Sequence, residues 1–339
     1  MNAPRELCLT EQKVEHFTID QQENVLLQQE FYLLQGDSPL GLMRMSQPEK
    51  PSKAVVMLVH GFAQNRFSWH CSKRSMQAYL AAQGYDVWNL ELRGHGLGRA
   101  AGGKSAGCFH DYVEDVIDIA KALPEPAFWI GHSLGGATLY GAASTMQPLR
   151  CRGVIGIGAI FHFGKGNWLM KTLGHLTHRL AQQDALQLLQ VKTKYSGHLL
   201  ARLYGITDIL GYTFPLSGWW PGTVEPDLLE ERLKYGFDWT SVKVWQEMSR
   251  WIVQGYFDYE GSWQQKDFPL LVLIGDKDHL LPPVDGRAAY DLFHGADKKL
   301  IILDDFHHDT HWGHLDLILG KYAQKHVWKT IAEWMSKRL

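Results

Sequence analysis

Trp129-Ile130-Gly131-His132-Ser133-Leu134-Gly135-Gly136 is the stretch on which the reading of this chain turns. Before it, Ala127-Phe128-Trp129-Ile130 is a short apolar run led in by Pro124 and Pro126. After it, Ala137-Thr138-Leu139-Tyr140-Gly141-Ala142-Ala143 is small and helix-compatible. The pattern predicts a strand, a sharp turn and a helix, with Ser133 at the bend. Gly131 and Gly135 fill the glycine sites of G-x-S-x-G, where a side chain would collide as strand and helix crowd together. Such a bend strains the serine backbone and exposes its oxygen, and the first helical turn aims unpaired N–H groups at the same place. A bare G-x-S-x-G also arises by chance, so its weight comes from its surroundings.

Upstream, Ala54-Val55-Val56-Met57-Leu58-Val59 is a continuous apolar run, as expected of a strand buried on both faces of a parallel sheet. It ends in His60-Gly61-Phe62, where the glycine lets the backbone fold over the strand's C-terminal edge, the ligand-binding edge of open α/β sheets. A helix over Ser75–Gln83, stopped by Gly84, and a strand over Tyr85–Leu90 follow, then the tight turn Arg93-Gly94-His95-Gly96. The glycines of that turn do not complete G-x-G-x-x-G at helix spacing, which excludes a nucleotide loop. Tyr112–Leu123 reads as an amphipathic helix that delivers the chain to the serine strand. Loose alternation from Val14 to Met45, broken at Asp20-Gln21-Gln22 and Gly36-Asp37-Ser38-Pro39, predicts short antiparallel edge strands.

Downstream, Gly153–Ile160 is a further buried strand. From Phe161 to Lys266 the strand texture vanishes, and helix-period segments such as Leu176–Val191 and Val242–Val253 take over. Sheet texture returns with the strand Pro269–Ile274, the helix Val284–Phe293 and the strand Lys299–Leu303, and Leu315–Leu319 with Ala323–Trp334 read as a closing helix. The organisation is therefore an α/β core formed by 1–160 and 267–339, with 161–266 inserted as a helical cap. Seven of the thirteen tryptophans (Trp168, Trp219, Trp220, Trp239, Trp245, Trp251, Trp263) fall in that insertion, either as packing or as an aromatic wall for an apolar substrate.

Composition narrows the partners. The chain has 339 residues, a net charge of -2 and no basic run, which argues against a nucleic-acid footprint or an electrostatic membrane anchor. Cys8, Cys71, Cys108 and Cys151 are scattered, as expected of free thiols in a reducing compartment. No signal-like N-terminus and no apolar stretch long enough for a membrane span is visible, so a cytoplasmic location is expected.

The succession strand-His60-Gly61-Phe62, strand-Arg93-Gly94-His95-Gly96, strand-Gly131-His132-Ser133-Leu134-Gly135-Gly136-helix, strand-Gly275-Asp276-Lys277-Asp278 and Gly313-His314-Leu315-Asp316 resembles the α/β-hydrolase superfamily. The resemblance covers essentially all of the chain outside the insertion. It implies a mostly parallel central sheet flanked by helices, with Ser133 as nucleophile on the elbow and its partners following in the order serine, acid, histidine. A serine hydroxyl needs a base within hydrogen-bond reach to attack at neutral pH. The family pattern places the acid third after a glycine, which fits Asp278 and leaves Asp276 as a turn residue capping the loop. An acid one strand earlier would find no carboxylate before Asp184. Of the four histidines after the last strand (His307, His308, His311, His314), His314 resembles the family position, with His311 in reserve. These histidines lie near Asp304, Asp305 and Asp309, yet lack H-E-x-x-H or H-x-H-x-D-H spacing, so no metal is expected. The oxyanion donors implied are the backbone N–H groups of Phe62 and Leu134, with the Phe62 side chain lining the acyl pocket. His132 reads equally as packing or as part of the site.

The expected activity is cofactor-free cleavage of small apolar carboxylic esters through an acyl-enzyme, as in monoacylglycerol lipases or carboxylesterases, with transient contact with lipid surfaces. Serine sets the chain apart from the dehalogenase and epoxide-hydrolase branches, which place aspartate at the nucleophile position. The alternatives are a thioesterase, amidase, perhydrolase or acyltransferase using the same three residues, or a hydrolase-fold protein that binds its ligand without turnover.

Overall fold

The computed structural model describes residues 5–21, 23–181, 190–192 and 218–339. Three antiparallel strands, β1 (Leu7–Asp20), β2 (Glu23–Leu34) and β3 (Leu40–Ser46), open the chain. Next come β4 (Val55–Val59), β5 (Asp86–Glu91), β6 (Ala127–His132) and β7 (Cys151–Ile157), then β8 (Gln190–Lys192) and β9 (Trp239–Ser241), and finally β10 (Leu270–Gly275) and β11 (Lys298–Leu303). Nine of these form one sheet in the order β1-β2-β3-β5-β4-β6-β7-β10-β11. From β5 to β11 every pairing is parallel, and β3 joins β5 antiparallel. β8 and β9 pair with each other as a separate two-stranded ladder, so among the described residues the stretch between β7 and β10 adds nothing to the main sheet.

Each central strand feeds two cores. Met57, Val59 and Trp129 point to one face of the sheet, where α2 (Phe109–Ala122) and α3 (Leu134–Thr145) pack. Val56, Leu58, Phe128 and Ile130 point to the other, covered by α1 (Met76–Ala82) and the C-terminal α7 (Lys329–Ser336). Every residue of β4, β6 and β10 is buried, and helices on both faces leave no solvent side. Ser75 caps α1 by accepting from Ala78 N–H at 3.0 Å. Between β7 and β10 lie α4 (Trp168–Ala181), α5 (Pro226–Tyr235) and α6 (Val242–Gln254), the last closed by Gly255 in the left-handed region at φ 74°.

Several boundaries differ from the sequence reading, each for a local reason. β1 starts at Leu7 rather than near Val14. It is a sheet-edge strand with its first ten residues mostly exposed, so there is little alternation to read. The helix expected over Leu176–Val191 is α4, displaced toward the N-terminus. Asn167 Oδ1 accepts from the N–H groups of Leu169 and Met170 at 3.1 and 3.0 Å, a cap that periodicity does not reveal. Residues 182–189 of that expectation lie outside the described residues, and Gln190–Lys192 is extended. Val284–Phe293 is two short helices, Pro283–Gly286 and Ala288–Asp291. The closing helix begins with a π turn over Gln324–Trp328 before α7.

Candidate active site

Ser133 sits where β6 meets α3, at φ 56°, ψ −122°. A non-glycine residue in that region is strained by about 1–3 kcal/mol and persists only where its surroundings impose it. The surroundings are the glycines. A Cβ on Gly131 would stand 2.6 Å from Gly136 N, and one on Gly135 would stand 2.3 Å from Val59 O and 2.4 Å from His60 O. All of these contacts are to backbone, so no side-chain movement relieves them, and G-x-S-x-G is a steric requirement of this turn.

Asp278 follows β10 and is fully buried. Its Oδ1 accepts from Leu281 N–H at 2.7 Å, and its Oδ2 pairs with His314 Nδ1 at 2.6 Å. His314 and Ser133 line one cavity of about 260 Å³, and the Ser133 hydroxyl forms no hydrogen bond among the described residues. The fold thus brings acid to histidine directly, and histidine and serine to a shared wall. His311, the reserve choice, is bound elsewhere, its Nδ1 2.6 Å from Asp276 Oδ2. Asp276 does cap a loop, but the histidine loop rather than its own, through Trp312 N–H at 2.9 Å.

The two expected oxyanion donors have no hydrogen-bond partner among the described residues. A buried imidazole orients one of them. His60 Nε2 accepts from Leu92 N–H at 3.1 Å, so the proton lies on Nδ1, which donates to Gly61 O at 2.9 Å. A trans peptide points its N–H opposite to its C=O, so this clamp turns the Phe62 N–H away from the His60 ring. Gly61 also lies close to the serine, since a Cβ there would be 3.1 Å from Ser133 Cβ. Burial, reinforced by His95, pushes His60 well below the ordinary histidine range, which keeps it a neutral, directional donor. His132 is neutral for the same reason, with His314 adding to the effect. Its Nε2 donates to the His314 carbonyl at 3.1 Å, and the two rings lie 4.4 Å apart.

In the sequence Asp316 is only the last residue of the motif Gly313-His314-Leu315-Asp316. It is fully buried and accepts from Gly313 N–H at 2.5 Å, Trp220 N–H at 2.7 Å and Thr223 Oγ1 at 2.6 Å. It thereby ties Trp220 and Thr223 to the loop that carries His314. Burial pushes its carboxyl up to about 7, against the lowering effect of these hydrogen bonds and with Asp278 raising it further. Its role cannot be read from sequence, because two of its three partners lie 93 and 96 residues away.

From the stretch between β7 and β10, Met170, Trp219, Leu233, Trp245 and Met248 line the cavity. The tryptophans divide between the two expected roles. Trp251 and Trp263 are core, Trp219 and Trp245 form wall, Trp220 packs edge-on to His311, and Trp168 is exposed. For cations, Asp304, His307 and His308 form one grouping of compatible donors, and Asp276, Asp305 and His311 another. Both lie in the His311 region, apart from Ser133.

A 101-residue stretch is 29% identical to epoxide hydrolase A of Mycobacterium tuberculosis, and the match covers 30% of this chain and 30% of that protein. A soluble variant of monoglyceride lipase from Saccharomyces cerevisiae, solved with a substrate analog, superposes with a TM-score of 0.66 at 19% identity, covering 95% of this chain and 98% of that one. The monoacylglycerol lipase of Paleococcus ferrophilus gives 0.62 at 18%, covering 88% and 99%. At such identities the two structures speak for the fold alone. No described helix is long and apolar enough to cross a membrane. The pattern of the alpha/beta hydrolase fold family matches residues 54–319, and with the sheet order and the serine turn already described, the chain belongs to that family.

Proposed function

We propose that the protein is a serine hydrolase cleaving carboxylic esters with an apolar acyl group. Ser133 attacks the ester carbonyl, and His314, through the nitrogen opposite Asp278, takes the serine proton and later returns it to the leaving alcohol. Asp278 fixes the tautomer and stabilises the imidazolium. The Phe62 and Leu134 amides take the oxyanion. The resulting acyl-enzyme is hydrolysed by water through the same steps. The observation that carries this reading is that Ser133 and His314 meet on one mostly apolar cavity while Asp278 holds His314 from its buried side. Residues 161–266 act as a cap that shapes the acyl end of the site. The aligned epoxide hydrolase does not shift the reading, because the elbow residue in this chain is serine.

A fluorophosphonate probe is expected to label the wild type and not Ser133→Ala. Equal labelling of both, or none of the wild type, removes the proposal. A series of p-nitrophenyl esters of rising chain length, run beside thioesters and amides, separates ester cleavage from the thioesterase, amidase and acyltransferase readings. Dominant turnover of amides or thioesters overturns the ester assignment.

A further inference from the structure

The segment between β7 and β10 buries a cation with no counter-ion among the described residues. Arg232, on α5, is 2% exposed and pairs with no carboxylate among the described residues, and its NH1 has no hydrogen-bond partner. Gly236 makes room for it, since a Cβ there would overlap NH1 at 1.7 Å. Leaving a buried guanidinium unpaired by a carboxylate is costly, so the contacts it does make matter; it stands over the Phe237 ring, 5.7 Å from the centroid, and makes one side-chain hydrogen bond among the described residues. Arg232 NH2 donates to Ser68 Oγ at 3.0 Å. A hydroxyl has one proton, and Ser68 passes it to Gln64 Oε1 at 2.9 Å. Gln64 Oε1 also accepts from Gly61 N–H at 3.3 Å. Both neighbours of that oxygen are donors, which fixes the orientation of the Gln64 amide.

The row ends on the residue whose carbonyl His60 clamps. Gly61 is therefore held at both ends, its N–H by Gln64 and its C=O by His60, and the peptide that His60 holds is the one that carries the Phe62 N–H. The same two segments also meet through their backbones. Gln64 bridges Phe237, Asp238 N–H donates to Ala63 O at 2.9 Å, and Asn65 Nδ2 donates to Tyr235 O at 2.9 Å.

We infer that Arg232 is a positioning residue for the oxyanion loop, acting through Ser68 and Gln64 to fix the Gly61–Phe62 peptide. The cation polarises the Ser68 hydroxyl, which strengthens its bond to Gln64, so the insertion sets the aim of a donor that belongs to the core. The inference rests on the serine-hydrolase reading above.

The test compares Ser68→Ala, Ser68→Thr, Arg232→Met and the Ser68→Ala/Arg232→Met pair, using p-nitrophenyl acetate turnover and the rate of fluorophosphonate labelling. Ser68→Ala is expected to lower kcat and the labelling rate about tenfold with KM little changed, as for a weakened oxyanion donor. Ser68→Thr, which keeps the hydroxyl, is expected to restore most of that loss, and the losses of Ser68→Ala and Arg232→Met to be markedly less than additive. The inference is overturned by wild-type rates in Ser68→Ala, by a loss confined to KM, by no rescue in Ser68→Thr, or by full additivity. If Arg232→Met does not fold, the Ser68 pair decides alone. A wild type that the probe leaves unlabelled defeats the hydrolase reading and this inference with it. A labelled wild type matched by Ser68→Ala defeats only the inference.

Discussion

Two aspartate–histidine pairs stand side by side at the end of β10, and their contacts nearly coincide. Asp278–His314 and Asp276–His311 both close at 2.6 Å through Nδ1, and in both the second carboxylate oxygen accepts a backbone N–H. Their surroundings separate them. Asp278 and His314 are 0% and 4% exposed, while Asp276 and His311 are 18% and 26% exposed. His314 lines the cavity with Ser133, whereas the other ring nitrogen of His311 lies 3.4 Å from Asp305 near the surface. A short carboxylate–imidazole contact is therefore no mark of catalysis by itself. In the proposed mechanism burial and a shared cavity with the nucleophile distinguish the pair that works, because charge developing on a dry imidazole is neither screened nor satisfied by water.

The sharpest break of this comparison is kinetic. Asp278→Asn and His314→Ala are each expected to reduce kcat on the order of 10⁴-fold with the fold retained, the scale of losing tautomer control or the base. Equal losses from Asp276→Asn or His311→Ala would reassign the site. A second experiment concerns Asp316, buried close to Asp278 and His314. Its folded carboxyl lies at about 7, above its ordinary 3.8, so between these values the folded state holds a proton that the unfolded state has released. Stability contributed by this group therefore falls as pH rises through that window. Urea melts of the wild type relative to Asp316→Asn should show the wild type losing about 2–4 kcal/mol from pH 4 to 7 and nothing further above it. A flat difference would show that the carboxyl is ionised throughout.

Smaller effects sharpen the contrast further. Ser133→Gly should abolish turnover yet raise stability by about 1 kcal/mol, because glycine adopts φ 56° without strain. Thermal melts that show no gain would place the strain elsewhere. His311→Ala is expected to leave kcat within about threefold and to cost about 1 kcal/mol of stability through lost hydrogen bonds of its loop. A large kinetic loss there would erase the difference between the pairs.

What could be read ahead of the structure follows the range of the forces involved. The β4 and β6 runs and the 131–136 turn were legible because strand period and glycine sterics are local. The start of α4 was not, since it depends on the Asn167 cap, and neither was the early start of β1, an edge strand with little of its first ten residues buried. Within the candidate site, Ser133, Asp278 and His314 came from motif order, whereas His60, Asp316 and Arg232 gained meaning only from their partners. Arg232 and Ser68 are 164 residues apart in sequence.

By itself the sequence determined the serine turn, the succession of buried strands and a short list of acids and histidines. Only the tertiary structure decided which aspartate faces which histidine, because Asp276 and Asp278 differ by two positions in one loop and each finds an imidazole. Burial of a polar group is a property of the whole packing around it, set by elements far apart in the chain. The sequence names such groups, but only the closed fold gives them a dry environment and a direction.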